Sequence, residues 1–449
     1  MSRPSRRSVL AATATTLATG GCVGVFDDGP DRETRDADGF PVAAHPEEWP
    51  LPNHDGQHSR RVPAAAPSGG DGLERSWRRS VEGYPEGLVA AGGRCFATVQ
   101  EFQDSGEEVL RTLAVDSKSG DRLWNRATGP WPGGMSTSES GPLPGVGAGM
   151  CWTLEYRDDG RWMTGLAAET GERQWSVPIG LGGEKPLPAA GLLHVERRRP
   201  GGDRDDHEAV AVDPLSGDLV WRTDLPGGAG RPVTDGTDLY YPGGGTVYRI
   251  NPETGDRRGT LDRNLQYAPV YADGRLFSYL GSTTVGDREI AGVEPETGSI
   301  AWERSVKVYY RRDDGGGGVN AGYHFGGVAD DRLLVAKEFR GFRTEEGKRR
   351  SDEVWALDPD TGETVWTINF EPPRGYVSVN RPIIAGSEVL LTGTVLVEDG
   401  DDVGFLERFD LETGASLARR ELPAESDTPP VVADGTIFVT CRDALLALR

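Results

Sequence analysis

One unit recurs along this 449-residue chain and constrains its fold more than any other feature. It reads as an apolar pair, an acid, a short turn closed by Thr/Ser-Gly, and a Trp four residues after the Gly. The clearest copies are AVDSKSGDRLW (114–124), AVDPLSGDLVW (211–221), GVEPETGSIAW (292–302) and ALDPDTGETVW (356–366). Degenerate copies span 166–175, 249–259 and 408–418. The turn glycines at 120, 171, 217, 255, 298, 362 and 414 are separated by 51, 46, 38, 43, 64 and 52 residues, a period that suits one four-stranded sheet per repeat. The acid is expected to cap backbone amides of the turn, and the Gly to take a positive φ. Asp116, Asp213, Glu294, Asp358 and Asp410 therefore read as turn caps rather than as acid–base pairs. A Trp at a fixed place in each repeat, at 77, 124, 175, 221, 302 and 366, is expected to wedge between neighbouring sheets. Each would bury about 150–250 Å².

A second element precedes each copy, a strand, a Gly-containing turn and another strand. Eight instances occur, at 90–96, 145–152, 189–195, 233–240, 270–277, 328–335, 383–390 and 431–438. The last unit stops at DALLALR (443–449), where its acid–turn–Trp strand should begin. The missing strand stands at the other end of the sequence, in LERSWRR (73–79), whose Trp77 has no turn before it. The expected fold is all-β: an eight-bladed β-propeller over 46–449, with four-stranded antiparallel blades. N- and C-terminal strands share the closing blade. Closure into a ring removes the exposed sheet edges that an open array would have to cap.

The N-terminus reads as an address. Residues 1–21 carry a twin-arginine pair, Arg6 and Arg7, followed by a weakly apolar Ala/Thr-rich stretch. LATGGC (17–22) has the small residues before a Cys that mark lipidation, with Cys22 as the acceptor. Residues 22–45 are acidic with almost no apolar content, and read as a disordered tether. A lipid on Cys22 plus this tether would hold the folded body at the extracellular face of the cytoplasmic membrane without a span. No run of 18 apolar residues occurs. The formal net charge of −22 speaks against nucleic acid as a partner. Only five of 49 basic residues are Lys, which with the many acids gives the chain a haloarchaeal character. A hydrated carboxylate surface of this kind is screened in strong salt.

The repeat resembles the pyrroloquinoline-quinone (PQQ)-like β-propeller family, which includes quinoprotein alcohol dehydrogenases and the assembly lipoprotein BamB. The resemblance covers about 46–449, and EWP…HDGQHS (48–59) is similar to the leading segment of its exported haloarchaeal branch. It implies a propeller with two possible uses. One is a PQQ-dependent dehydrogenase with quinone and Ca²⁺ in the central channel. The other is a non-catalytic scaffold. Quinoprotein dehydrogenases carry adjacent cysteines, whereas Cys95, Cys151 and Cys441 stand apart and read as small core residues. PQQ and Ca²⁺ are accordingly not expected.

No nucleophile elbow, HExxH, CxxC or phosphate loop occurs. His54 and His58 read as polar loop rather than as a metal pair. Three segments depart from the repeat: 197–208, 309–327 and 398–402. The middle one groups Tyr309, Tyr310, Tyr323 and Phe325 with Arg311 and Arg312, residue types enriched at interfaces, and is the expected partner loop. The reading is an exported, lipid-anchored, monomeric propeller, a scaffold for a surface protein or complex. The alternatives are the dehydrogenase and a surface carbohydrate or polymer binder.

Overall fold

The computed structural model describes residues 48–63, 73–103, 106–130, 144–179, 186–199, 202, 206–226, 230–281, 288–307, 309–310, 319–329, 331–339, 350–397 and 400–449. Arg6, Arg7, Cys22, Arg311 and Arg312 lie outside them. All elements within them are strands. Eight sheets form a ring in chain order. Blades 1 to 7 span 84–130, 145–178, 187–226, 233–261, 265–306, 309–369 and 376–421. Blade 8 combines 431–448 with Arg75–Ser80.

The shared blade is paired as the orphan Trp77 requires. Trp77 stands opposite Ala447, Arg78 opposite Leu446 and Arg79 opposite Leu445. Backbone bonds extend the seam on both sides: Glu74 N–H to Arg449 O at 2.6 Å and Val81 N–H to Asp443 O at 2.8 Å.

Two blades exceed four strands. Blade 6 gains Tyr309–Tyr310, paired with Asn320 and Val319. In blade 7 the inner strand is split into Tyr376–Val379 and Ile383–Ala385, both pairing with Glu388–Leu396. Pro382 sits in the break, where a residue without an N–H cannot continue a ladder. Arg61–Val62 then adds to this blade in parallel, opposite Ile384 and Ala385.

The repeated Trp joins each blade to the next. Trp77 Nε1–H donates to Ser117 O, Trp124 to Ala168 O, Trp175 to Pro214 O, Trp221 to Pro252 O, Trp302 to Pro359 O and Trp366 to Leu411 O, all at 2.7–3.0 Å. Each indole lies on the turn Gly of the following blade. A Cβ built at Gly120, where φ is +73°, would come within 2.7 Å of the Trp77 ring. The position therefore demands Gly twice, for its φ and for the close approach. Leu261 and Arg263 replace the Trp at the blade 4–5 junction, with Arg263 Nε donating to Gly298 O at 2.8 Å. Blade 7 has Ala418 at the equivalent place. The blade it faces has no turn there, because its outer strand arrives from the other end of the chain.

The turn acids behave as caps with one exception. Asp116 Oδ1 accepts from Lys118 N and Ser119 N at 2.9 and 2.8 Å, and Asp213, Asp358 and Asp410 act alike. These bonds hold the Asp116, Asp358 and Asp410 carboxyls below the usual range. Glu294, one methylene longer, instead accepts from Arg275 Nε at 3.1 Å. Cys95, Cys151 and Cys441 are free, buried thiols in three different blades.

Candidate functional site

The inner strands of a propeller ring face a central channel, and their outward N–H and C=O groups need partners. Here residues 49–62 supply them. Trp49 and Ala90 of blade 1 exchange two bonds at 2.7 and 2.8 Å. Val146 N–H of blade 2 donates to Pro50 O, Thr234 of blade 4 to Gly56 O, Tyr271 of blade 5 to Gln57 O, Val328 of blade 6 to Ser59 O, and Ile384 of blade 7 to Arg60 O, all at 2.9–3.0 Å. The segment thus visits six blades in chain order. It is buried despite its polarity: Trp49 is 1% exposed, His54 2%, Asp55 3% and Arg60 4%.

Asp55 is its hub. Its Oδ1 accepts from Gln57 N at 3.0 Å and Ser59 N at 2.9 Å, and its Oδ2 accepts from Ser59 Oγ. The tight path places three non-glycine residues at positive φ: His54 (77°), His58 (59°) and Arg60 (48°). Such a cluster is uncommon and persists only where surrounding contacts fix it. Burial lowers the His58 pKa to about 4, so the neutral ring donates from Nδ1 to Pro269 O at 3.0 Å. Arg60 Nη2 donates to Asn53 Oδ1. Burial and the charge of Arg231 pull the Arg60 pKa down to about 9, and burial with Arg60 nearby pulls Arg381 down. Arg60 is thus buried and subject to like charge from Arg231, and Arg381 to like charge from Arg60, in a chain of net charge −22.

A second feature lies at the seam between blades 1 and 8, where the ring is closed. A cleft of about 340 Å³ is lined by Tyr84, Glu86, Gln100, Phe102, Asp427 and Arg442, among others. Glu86, on the inner strand Tyr84–Ala91, forms part of its lining and is 2% exposed. Burial, and then the charge of Asp427, push its pKa up to about 7.

The residues of the expected partner loop part company. Tyr323 and Phe325 are each 4% exposed and belong to the blade 6 core, so neither offers its ring to a partner. Tyr323 Oη donates inward to Lys307 O at 3.0 Å. Tyr309 and Tyr310 form the short extra strand, and Arg311 and Arg312 lie outside the described residues. His54 and His58, read as polar loop, belong to the buried segment. Sequence reasoning assigned residues 48–59 to a lead-in before the first strand and missed their place inside the ring.

Segment 49–62 lies against the inner strands near their ends, at Ala90, Tyr271 and Val328 among others. Buried peptide of the chain itself pairs with the inner strands of six blades. The three described cysteines are isolated from one another. Among the described residues no three His, Cys, Asp or Glu side chains are grouped to hold a metal ion.

A PQQ-repeat family model described as "Outer membrane protein assembly factor BamB" matches residues 205–310, 286–403 and 350–448, together more than half of the sequence. The chain belongs to this family. Within it, the outer membrane protein assembly factor BamB of Escherichia coli is 25% identical over 198 residues, covering 43% of this chain and 39% of the relative. The match thus spans well under half the length of that curated relative. Among solved structures, a europium-containing methanol dehydrogenase superposes with a TM-score of 0.59 at 13% identity, over 91% of this chain and 98% of its own. BamB from Moraxella catarrhalis gives 0.52 at 14% identity, over 84% of this chain and 100% of its own. At these identities the likeness is one of fold, and the fold hosts both kinds of protein.

Proposed function

We propose that this family member is an exported, lipid-anchored, non-catalytic β-propeller that scaffolds protein–protein contacts at the cell surface. The observation that supports the reading is the buried segment 49–62, which bonds to the inner strands of six blades and so brings the chain's own peptide into the ring. The family match to an assembly factor supports a binding role. The twin-arginine pair Arg6–Arg7 and the lipidation sequence ending at Cys22 support export and anchoring. The haloarchaeal composition speaks against an outer membrane as the place of action. A ring pinned at its inner edge offers its loop faces as rigid platforms.

Photo-crosslinking on intact cells tests this, with the full chain and a Cys22→Ala variant compared. The expected result is one recurrent protein adduct, reduced when the variant no longer partitions with membranes. Saturable one-to-one binding of PQQ with Ca²⁺ to the purified chain, read by calorimetry and quinone absorbance, would overturn the non-catalytic reading.

A further inference from the structure

Glu86 is the most anomalous carboxylate among the described residues. It is 2% exposed, and neither of its oxygens has a hydrogen-bond partner. A buried ionised carboxyl without a partner is costly, and such a group takes up a proton or is completed by water or a ligand. Glu86 faces the seam cleft, not the protein interior. It lies four residues before Ala90, about 13 Å along the inner strand from where residues 49–62 attach, so that segment is not its partner.

The cleft has the wrong charge balance for a closed site. Three carboxylates line it, Glu86, Glu425 and Asp427, against one guanidinium, Arg442. Arg442 is already engaged at the rim. It lies 3.5 Å from Glu425 and donates to Tyr84 Oη at 3.2 and 3.4 Å. Cys441, the remaining ionisable group of the lining, has its thiol pushed up to about 12 by burial and stays neutral. One wall is aromatic: Tyr84 and Phe102 meet edge to face at 5.4 Å, and Phe102 is 51% exposed.

We propose that this cleft binds a primary ammonium group on an alkyl stem, supplied by a lysine side chain of a protein partner or by a free alkylamine. The ammonium brings a compact positive charge and three donors to a cleft whose buried carboxyl, Glu86, has no hydrogen-bond donor. The methylene stem lies along Tyr84 and Phe102, where the aromatic faces also favour a cation. A metal ion would need more ligands than the described residues group together. The raised pKa of Glu86 adds a signature: ligand binding requires its ionised form, so binding releases a proton below about pH 7 and tightens as pH rises through that value. The lysine source rests on the scaffold reading above; the site itself does not.

Isothermal calorimetry on the full chain tests the assignment with butylamine, N-acetyl-lysine-methylamide and its Nε-acetylated form, in two buffers of different ionisation enthalpy. The expected result is binding of one or both free amines with proton release, and none of the Nε-acetylated form. Butylamine alone would mark a free-amine site, and the lysine derivative would mark a peptide site. Glu86→Gln should weaken binding by at least about tenfold and abolish the proton release. Asp427→Asn, at the exposed mouth, provides a second variant if Glu86→Gln fails to fold. No binding of either amine at about 10 mM, equal binding of the Nε-acetylated form, or unchanged affinity in the folded variants overturns the assignment. If the amines fail while crosslinking on cells still yields its adduct, the cleft assignment falls and the scaffold reading stands.

Discussion

Replacing Asp55 with Ala tests whether residues 49–62 are a structural plug. The side chain satisfies two buried backbone amides, Gln57 N and Ser59 N, and the Ser59 hydroxyl. Leaving a buried donor unpaired costs about 1–3 kcal/mol each. Two stranded amides plus the lost hydroxyl bond give about 3–5 kcal/mol at the middle of this range. The segment is held to each blade by only one or two backbone bonds, so the cost should appear as local release rather than global unfolding. The reporters are the amides of Thr234, Tyr271, Val328 and Ile384, which belong to four blades and donate to this one segment. Hydrogen–deuterium exchange resolved by mass spectrometry should show all four losing protection together, by about 150- to 4000-fold for that cost. Asp55→Asn, which keeps the Oδ1 acceptor, should lose much less. Wild-type protection at these amides in Asp55→Ala would refute the hub role. Loss at one blade only would refute the continuous plug.

Trp124→Ala should cost about 3–5 kcal/mol in chemical denaturation, and Trp366→Ala at the same repeat position should cost less, because Trp366 is only half-buried. Gly120→Ala should destabilise by more than about 1 kcal/mol, since its Cβ would meet the Trp77 ring at 2.7 Å; an unchanged denaturation midpoint would sink the wedge. For Glu86, a native pKa of about 7 against an ordinary 4.5 means the native state holds the extra proton, so this group's contribution falls as pH rises from about 4.5 to about 7. The stability of Glu86→Gln relative to wild type should therefore grow across that window and be level outside it, as read from melts at stepped pH. The buried thiols of Cys95, Cys151 and Cys441 should resist a thiol reagent until the chain unfolds, with the release of colour tracking the unfolding transition.

The ring was legible because each repeat residue has one local task. Asp116 caps its turn, Gly120 allows the turn and the approach, and Trp124 spans to the next blade. Even the shared blade could be read, from a Trp at 77 with no turn and a last repeat with no Trp. Where the local task admits more than one chemistry, the reading failed. Glu294 occupies a cap position but reaches Arg275, and Leu261 with Arg263 replaces a wedge that no pattern announced. Tyr323 and Phe325 looked like interface residues by type. Their alternation with Ala321 is the period of a strand with one buried face, and the structure follows the period. Residues 49–62 carry no periodicity; Pro52, Asn53, Asp55 and Gly56 signal a turn, but the positive φ values fall on His54, His58 and Arg60 rather than on Gly, so the path of the segment was not legible. The lack of a partner at Glu86 is a property of space alone; nothing within the sequence 84–91 distinguishes it from a solvated acid.

The N-terminal stretch performs two closures with one run of chain. Residues 49–62 fasten blades 1, 2, 4, 5, 6 and 7 from inside, and Arg75–Ser80 completes blade 8 against the C-terminal strand. The ring is thereby pinned at its inner strands and at its seam by residues close in sequence, and the seam pairing needs the C-terminal strand to be present. This coupling suits a protein sent out folded, as the proposed twin-arginine route requires. One fold serves both an assembly factor and a dehydrogenase among the structures this chain resembles. In this chain Asp55 ties together the segment that bonds to six inner strands, and the proposed scaffold would recognise its partner through the loop faces and the seam, where both Glu86 oxygens lack a hydrogen-bond partner.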